Sequence, residues 1–451
     1  MGLCRRRFGT GRGAGDYGPG MTEPGRRMIL GSDCRTMTDL TDRDFGGYAV
    51  RYRGNPRFAG AAAETDGTAK LLDGKTFETV RNQITAWPGY APTPLRSLAG
   101  LASAIGVGAI FYKDESARFG LGSFKALGGA YAVFRQLAAS VRRETGVEQI
   151  TTEDLIEGRY RAITSRITAT CATDGNHGRS VAWGAQMFGC RCVIFVHETV
   201  SAGRVRAIEA YGAEVRRVPG TYDDAVRQAA ADAARNGWIV VSDTSYPGYR
   251  DIPRDVMLGY AVMAEEALAQ LPRGQRPSHA FLQAGVGGLA AAVCAHLQET
   301  LGPERPRVIV VEPEKAACLL ASAEAGQPVA VGGALDTIMA GLACGEPSLL
   351  AWEVLGQGAD GFMAIPDAAA AAAMRMLAAG VNGDPPLVAG ESAVAGLAAL
   401  LCACAQPRLR QALGLSADSR ILLIGSEGAT DPEVYRNIVG RMPEEVAADR
   451  P

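Results

Sequence analysis

Lys125 stands in the stretch KDESARFGLGSFKALGGAY, residues 113 to 131, after Ser123-Phe124 and before Ala126-Leu127-Gly128-Gly129. A lysine on a surface helix keeps company with other charges. One set among glycine, alanine and serine is expected to be partly buried. Burying an ammonium costs free energy, so the expectation is a lowered pKa and a nucleophilic amine. Such an amine forms Schiff bases, either with a carbonyl substrate or with pyridoxal phosphate. The plain alternative is a lysine that snorkels from the start of a helix.

Three other stretches carry candidate chemistry. QAGVGGLA, residues 283–290, follows a predicted strand and opens a predicted helix. Glycines there let backbone N–H groups approach a phosphate, and the helix N-terminus favours its charge. The same residues, Gly285-x-Gly287-x-x-Ala290, satisfy a dinucleotide fingerprint, with Glu312 placed as a ribose-binding acid. A nicotinamide dehydrogenase is therefore one reading, and a glycine-rich turn without ligand another. TDGNHGRSVAW, residues 173–183, makes a second strand-to-helix turn. Asn176 could donate to a ligand oxygen there, Asp174 faces the ligand side or caps the helix, and His177 reads as structural. Asp243 in SDTSYPGYRDIP and Ser426 in IGSEGATD end two further strands. Each is an ordinary turn residue when taken alone.

The elements that must position these residues alternate. Strands are predicted at 108–114, 166–173, 190–197, 213–219, 238–243, 279–285, 307–314 and 419–425. Helical periodicity falls between them, at 123–140, 176–189, 201–212, 222–237, 254–271 and from Leu289, with a long alanine-rich helical region after residue 314. Strands alternating with helices imply parallel strands in three-layer α/β units. Two such lobes with a ligand cleft between them are the expected architecture.

Composition narrows the classes. The 451 residues are 47% hydrophobic and 21% charged, with net charge -2, an ordinary globular balance that predicts no nucleic-acid partner. The ten cysteines include no CxxC pair, and four histidines are few for a metal centre. The thiols read as mostly reduced and the protein as cytoplasmic. No apolar run has the length and flanks of a membrane span, the nearest being AFLQAGVGGLAAAVCAHLQ at 280–298. The arginine cluster near the start lacks a following apolar region, so residues 1–45 read as a flexible tail rather than a signal.

In this order a lysine after Ser-Phe, an Asn-Gly turn, a glycine loop and a late serine resemble fold-type II pyridoxal phosphate enzymes, the group of the tryptophan synthase β-subunit and threonine dehydratase. The resemblance spans roughly residues 85 to 440. It implies that Lys125 carries the cofactor and that Asn176 meets its phenolic oxygen. It implies that Gly285, Val286, Gly287, Gly288 and Leu289 hold its phosphate, and that Ser426 faces its pyridine nitrogen. Dehydratases carry S-F-K-x-R-G and S-x-G-N-H, whereas this chain has Leu127 and Asp174 at the diverging positions. KDESARFGLGSFKALGG, ATDGNHGR, DTSYPGYRDIP, TIMAGLACGEPS and IGSEGATDPE together look like diaminopropionate ammonia-lyases.

That family converts 2,3-diaminopropionate and water to pyruvate and two ammonia. An acid in place of a small neutral residue suits a substrate with a β-ammonium, so Asp174 and, second, Asp243 are the candidates to meet it. Lys125 is read as the base for the L isomer and Asp174 as the base for the D isomer. Asp243 is read as binding or protonating an amino group. The competing readings are a serine or threonine dehydratase and an idle cofactor- or amino-acid-binding protein. A homodimer is what the resemblance implies; no metal-ligand set is expected, and metal-ion activation is left open. The expected division is a large cofactor domain of 46–130 with 255–440, a small α/β domain of 131–254 and a C-terminal tail of 441–451. A pairing of Cys318 with Cys344 is left open.

Overall fold

The computed structural model describes residues 45–58, 60, 71, 74–173 and 175–449. The expected N-terminal tail, apart from Phe45, and Asp174 lie outside these residues. Among the described residues the eleven strands are β1 (Arg51–Gly54), β2 (Leu95–Ser97), β3 (Ala109–Asp114), β4 (Thr168–Ala172), β5 (Arg191–His197), β6 (Glu214–Val218), β7 (Ile239–Val240), β8 (His279–Gln283), β9 (Arg307–Pro313), β10 (Gly361–Ile365) and β11 (Arg420–Gly425). Seven of them form one sheet, ordered β1-β10-β9-β8-β11-β3-β2, and four form another, ordered β6-β5-β4-β7. The smaller sheet is parallel throughout. In the larger one only the edge strands β1 and β2 run antiparallel.

Both faces of the large sheet are covered. Val308 and Val310 of β9 join one core with Tyr131, Met257 and Val293, while Ile309 and Val311 join the other with Met374, Leu397 and Leu401. Alternate side chains of a strand point to opposite faces, so strands apolar on both faces must lie between two helical layers.

The glycines after Lys125 serve this packing. The helix Lys125–Thr145 crosses the helices Asn176–Phe188 and Asp251–Ala269 at close range. A Cβ on Gly128 would stand 2.4 Å from the Tyr260 ring, and one on Gly129 would run into Ser180. Lys125 therefore begins a tightly seated helix, not a surface one.

Two expectations need correction. The alanine-rich region is not one helical block: β10 interrupts it between the helices Leu349–Gly358 and Asp367–Ala379. GFMAI is a five-residue apolar run buried on both sides, which periodicity alone cannot tell from buried helix. The stretch 441–451 was expected as a tail, yet Pro443–Ala448 is a helix whose Val446 is buried in the second core.

A buried charge network braces the lysine segment. Glu266 accepts from Lys113 Nζ at 2.6 Å and from Arg118 Nη2 at 2.7 Å, and Arg118 Nε reaches Glu115 at 2.8 Å. Two cations and two anions balance there. Removing one anion leaves a buried cation uncompensated, at a cost of about 3–5 kcal/mol. Glu266→Gln is expected to lower the denaturation midpoint accordingly, with the denaturant slope unchanged, as read by urea unfolding of the purified protein.

Candidate active site

The candidate residues sit at the C-terminal ends of parallel strands, where α/β sheets bind ligands. β8, β11 and β3 are neighbours, so the glycine loop after Gln283, Ser426 after Gly425 and the loop from Asp114 to Lys125 lie side by side. Backbone bonds fasten the last two: Phe124 N donates to Ser426 O at 3.0 Å and Gly428 N to Gly122 O at 3.0 Å. In the smaller sheet β4 pairs with β7, which brings the Asn176 turn beside Asp243.

The two sets meet. Lys125 Nζ forms an ion pair with Asp243 Oδ2, with 19% and 17% of the two side chains exposed, so the pair is reachable from solvent. Ser180 Oγ donates to Lys125 O at 2.6 Å, and Asn176 Nδ2 donates to Glu427 Oε2. The nitrogen of Lys125 also lies 5.5 Å and 5.8 Å from the ring centres of Phe124 and Tyr260.

This pairing corrects the expected protonation. Burial would push the ammonium down, but the facing Asp243 carboxylate outweighs it, so Lys125 is held above the usual lysine range. Burial likewise opposes the Asp243 charge, and the Lys125 ammonium holds that carboxyl well below its usual range. Facing Asp243, the lysine is thus held as an ammonium. Sequence could not foresee this, because the two partners are far apart in the chain.

The phosphate candidate is a close-packed strand-to-helix turn. Gly287 has φ 99, and a Cβ there would stand 3.0 Å from that of Ala351. The helix Gly288–Leu301 begins directly after it, and a helix's first turn leaves backbone N–H groups without intrahelical partners. Glu312 is not available to a ribose: buried, it accepts from Leu319 N and Leu320 N, both at 2.8 Å. That removes the acid on which the dinucleotide reading rested.

At the Asn176 turn, Thr173 Oγ1 accepts from Gly175 N at 3.0 Å and Gly178 N at 3.1 Å. His177 Nε2 faces the Val241 carbonyl at 2.7 Å, so that nitrogen carries the hydrogen. Burial lowers the pKa of this ring, which is therefore neutral near pH 7. No disulfide joins Cys318 and Cys344 in this structure.

Three residues missed in the sequence stand beside the candidates. Gln283 contacts Ser426 and is the one polar side chain after His279 in a fully buried strand, a signal that was present in HAFLQ. Glu427 touches Asn176 and also accepts from Ser392 N at 3.3 Å. Glu391, paired with Arg204 at 3.2 Å, completes an acidic pair with it. Their relation is tertiary and left no sequence pattern.

Burial, and next the Glu427 charge, push Glu391 up to about 7 from the ordinary 4.5. The folded chain holds a proton across that window that the unfolded chain has released, so stability falls as pH rises through it. One such proton gives at most about 1.4 kcal/mol per pH unit. Glu391→Gln is expected to flatten the fall, as read by urea midpoints of the cofactor-free protein between pH 5 and 7.5.

The comparisons agree with this geometry. The family described as pyridoxal-phosphate dependent enzyme matches residues 86–427. A diaminopropionate ammonia-lyase from Escherichia coli strain K12 is 43% identical over 355 residues, 78% of this chain and 88% of that one. A diaminopropionate ammonia-lyase from Salmonella typhimurium is 39% identical over 383 residues, 83% of this chain and 94% of the other. Among solved structures, diaminopropionate ammonia-lyase from Escherichia coli in complex with D-serine superposes with a TM-score of 0.80 at 39% identity, covering 87% of this chain and 97% of that one.

Proposed function

Because this chain belongs to the pyridoxal-phosphate-dependent enzymes, and within them to the diaminopropionate ammonia-lyases, we propose that it eliminates ammonia from 2,3-diaminopropionate and releases pyruvate and a second ammonia. The observation that carries the reading is the meeting of Lys125, the glycine loop and Ser426 at three adjacent strand ends, opposite a carboxylate that already holds an ammonium.

The residues present fit the cofactor. The turn at Gly287 and the first helical N–H groups suit its phosphate, Asn176 its phenolic oxygen, Ser426 its ring nitrogen, and Lys125 its aldehyde. Bound there, pyridoxal phosphate supplies an electron sink for negative charge at the substrate Cα. Lys125, as an unprotonated amine, would take the Cα proton of the L isomer. Asp174 does so from the opposite side for the D isomer. Asp243, relieved of the Lys125 ammonium, holds an ammonium of the substrate by the same charge-assisted bond. Loss of the β-ammonia and addition of water then give pyruvate and the second ammonia.

The protein works, on this reading, as a cytoplasmic homodimer. Eight free thiols among the described residues support a reducing compartment, and no helix among those residues is long and apolar enough to cross a membrane. The two sheets support dividing the chain into a large domain and a small domain of about 131–254.

The test is pyruvate release by the cofactor-loaded protein from D- and L-2,3-diaminopropionate, beside L-serine, D-serine and L-threonine (read as 2-oxobutyrate). Faster turnover of the diamino acids supports the assignment. Preference for the hydroxy acids would make the protein a dehydratase and leave Asp174 and Asp243 without their ammonium role.

A further inference from the structure

The His177 ring is buried, 8% exposed, and only one of its nitrogens has a hydrogen-bond partner. Nε2 lies 2.7 Å from the Val241 carbonyl, which can only accept, so this nitrogen carries a hydrogen. A neutral imidazole has one such hydrogen, so Nδ1 presents a bare lone pair. Among the described residues nothing donates to it. The Asp243 Oδ2 atom stands 3.9 Å away and is itself an acceptor. Two acceptors thus face each other, about 1 Å beyond hydrogen-bond reach, with no hydrogen of their own to share. A phenylalanine ring at this place would avoid the orphaned atom.

The same carboxylate oxygen is paired with Lys125 Nζ. Asp243 Oδ2 therefore stands between two nitrogens, one charged and one orphaned. Burial opposes a charge on His177, the Asp243 carboxylate favours one, and the Lys125 ammonium opposes it. Among the described residues the other titratable groups near these three are Cys171 of β4, Tyr249, Tyr260 and, beside Lys125, Cys344. Burial holds the Cys171 thiol and both phenols uncharged. The cation that keeps His177 neutral is thus Lys125. A lysine that lost its proton to solvent would leave the carboxylate unpaired. A proton moved to Nδ1 instead keeps the net charge of the set, and the new N–H gains Asp243 as its acceptor.

We propose that His177 is the proton acceptor that discharges Lys125. An N–H bond of the ammonium breaks and leaves its electron pair on Nζ. The proton passes to Asp243 Oδ2 and on to His177 Nδ1, where the ring lone pair forms the new N–H bond. Amine, carboxylate and imidazolium replace ammonium, carboxylate and neutral imidazole, and nothing is released. The inference rests on the reading above that Lys125 works as an unprotonated amine, and it names where the proton goes. His177 acts on the lysine only through Asp243, so it is a positioning residue for that proton and not a base toward substrate.

The experiment labels the histidine rings with nitrogen-15 and follows their resonances with pH. The chain has four histidines, and His177→Gln identifies the one in question. In the cofactor-free native protein His177 is expected to be neutral near pH 7, with its hydrogen on Nε2. Cofactor-free Lys125→Met removes the competing ammonium. There the ring is expected to be an imidazolium, its midpoint raised by about 1–3 pH units. Native protein loaded with pyridoxal phosphate is expected to show the same imidazolium. Lys125→Met with Asp243→Asn is expected to return the ring to neutral. A neutral His177 in the loaded native protein overturns the proposal, as does one that stays neutral in folded Lys125→Met. An imidazolium that persists without the Asp243 carboxylate overturns it too. Where Lys125→Met does not fold, the loaded native protein decides. A native protein that takes up no pyridoxal phosphate overturns the reading of Lys125 instead, and Lys125→Met then judges His177 by itself. In loaded His177→Gln the acid limb of kcat/KM for pyruvate release is expected to move to higher pH. A rate lowered equally at every pH would make His177 structural and overturn its proton role.

Discussion

Lys125→Ala is expected to abolish pyruvate release and to leave a cofactor that dialyses away. The lysine is asked to do two things on our reading: to fix the aldehyde covalently and to take the Cα proton of the L isomer. Loss of a general base alone costs about 10²–10⁴ in rate. Loss of the covalent link leaves the cofactor to the glycine loop, Asn176 and Ser426. The effect on folding is separate and readable. Alanine strands the Asp243 carboxylate, 17% exposed, with only the His177 ring near it, its Nδ1 3.9 Å away. Some loss of stability follows, and it is removed in Lys125→Ala with Asp243→Asn. A double variant as stable as the native protein, with no absorbance of bound cofactor after dialysis and no pyruvate, is the expected outcome. Retained turnover in a protein freed of contaminating native enzyme would take both tasks away from Lys125.

Asp174→Asn is expected to remove turnover of the D isomer by about 10²–10⁴ while sparing the L isomer. The two enantiomers present their Cα protons on opposite sides when their carboxylate and amino groups are bound alike. On our reading Lys125 serves one of these sides, and one base does not reach both. In the sequence Asp174 falls between Thr173 and Gly175, and Thr173 Oγ1 accepts from Gly175 N and Gly178 N. The measurement is the ratio of kcat/KM for the two isomers in native and variant protein. A ratio that stays constant would make Asp174 a binding residue for both. A D isomer turned over at the native rate would leave it with no base role.

These two substitutions rest on motifs readable in the chain itself. The glycines beside Lys125, the Asn176 turn and the loop of Gly285 to Leu289 are local: each is a strand end followed by a turn and a helix, and backbone geometry makes such positions ligand-facing wherever they occur. The same locality explains why strand and helix alternation could be followed from residue 166 to 314. Where it failed, at β10, a short run buried on both faces had no period to read.

The sequence by itself determined which side chains stand at strand ends and which family they resemble, because both are properties of short contiguous segments. It did not determine their charge. Lys125 was expected to be neutralised by burial, but the fold sets it against Asp243, 118 residues away, and a close opposite charge outweighs desolvation. Gln283 and Ser426, 143 residues apart, are hydrogen-bonded only because β8 and β11 are neighbours. Burial raises the proton affinity of both Glu391 and Glu427, and the Glu427 charge raises that of Glu391 further, only because the fold brings the two remote segments together. Protonation and hydrogen-bond direction depend on distances of a few ångströms between remote segments, and those distances exist only in the folded chain.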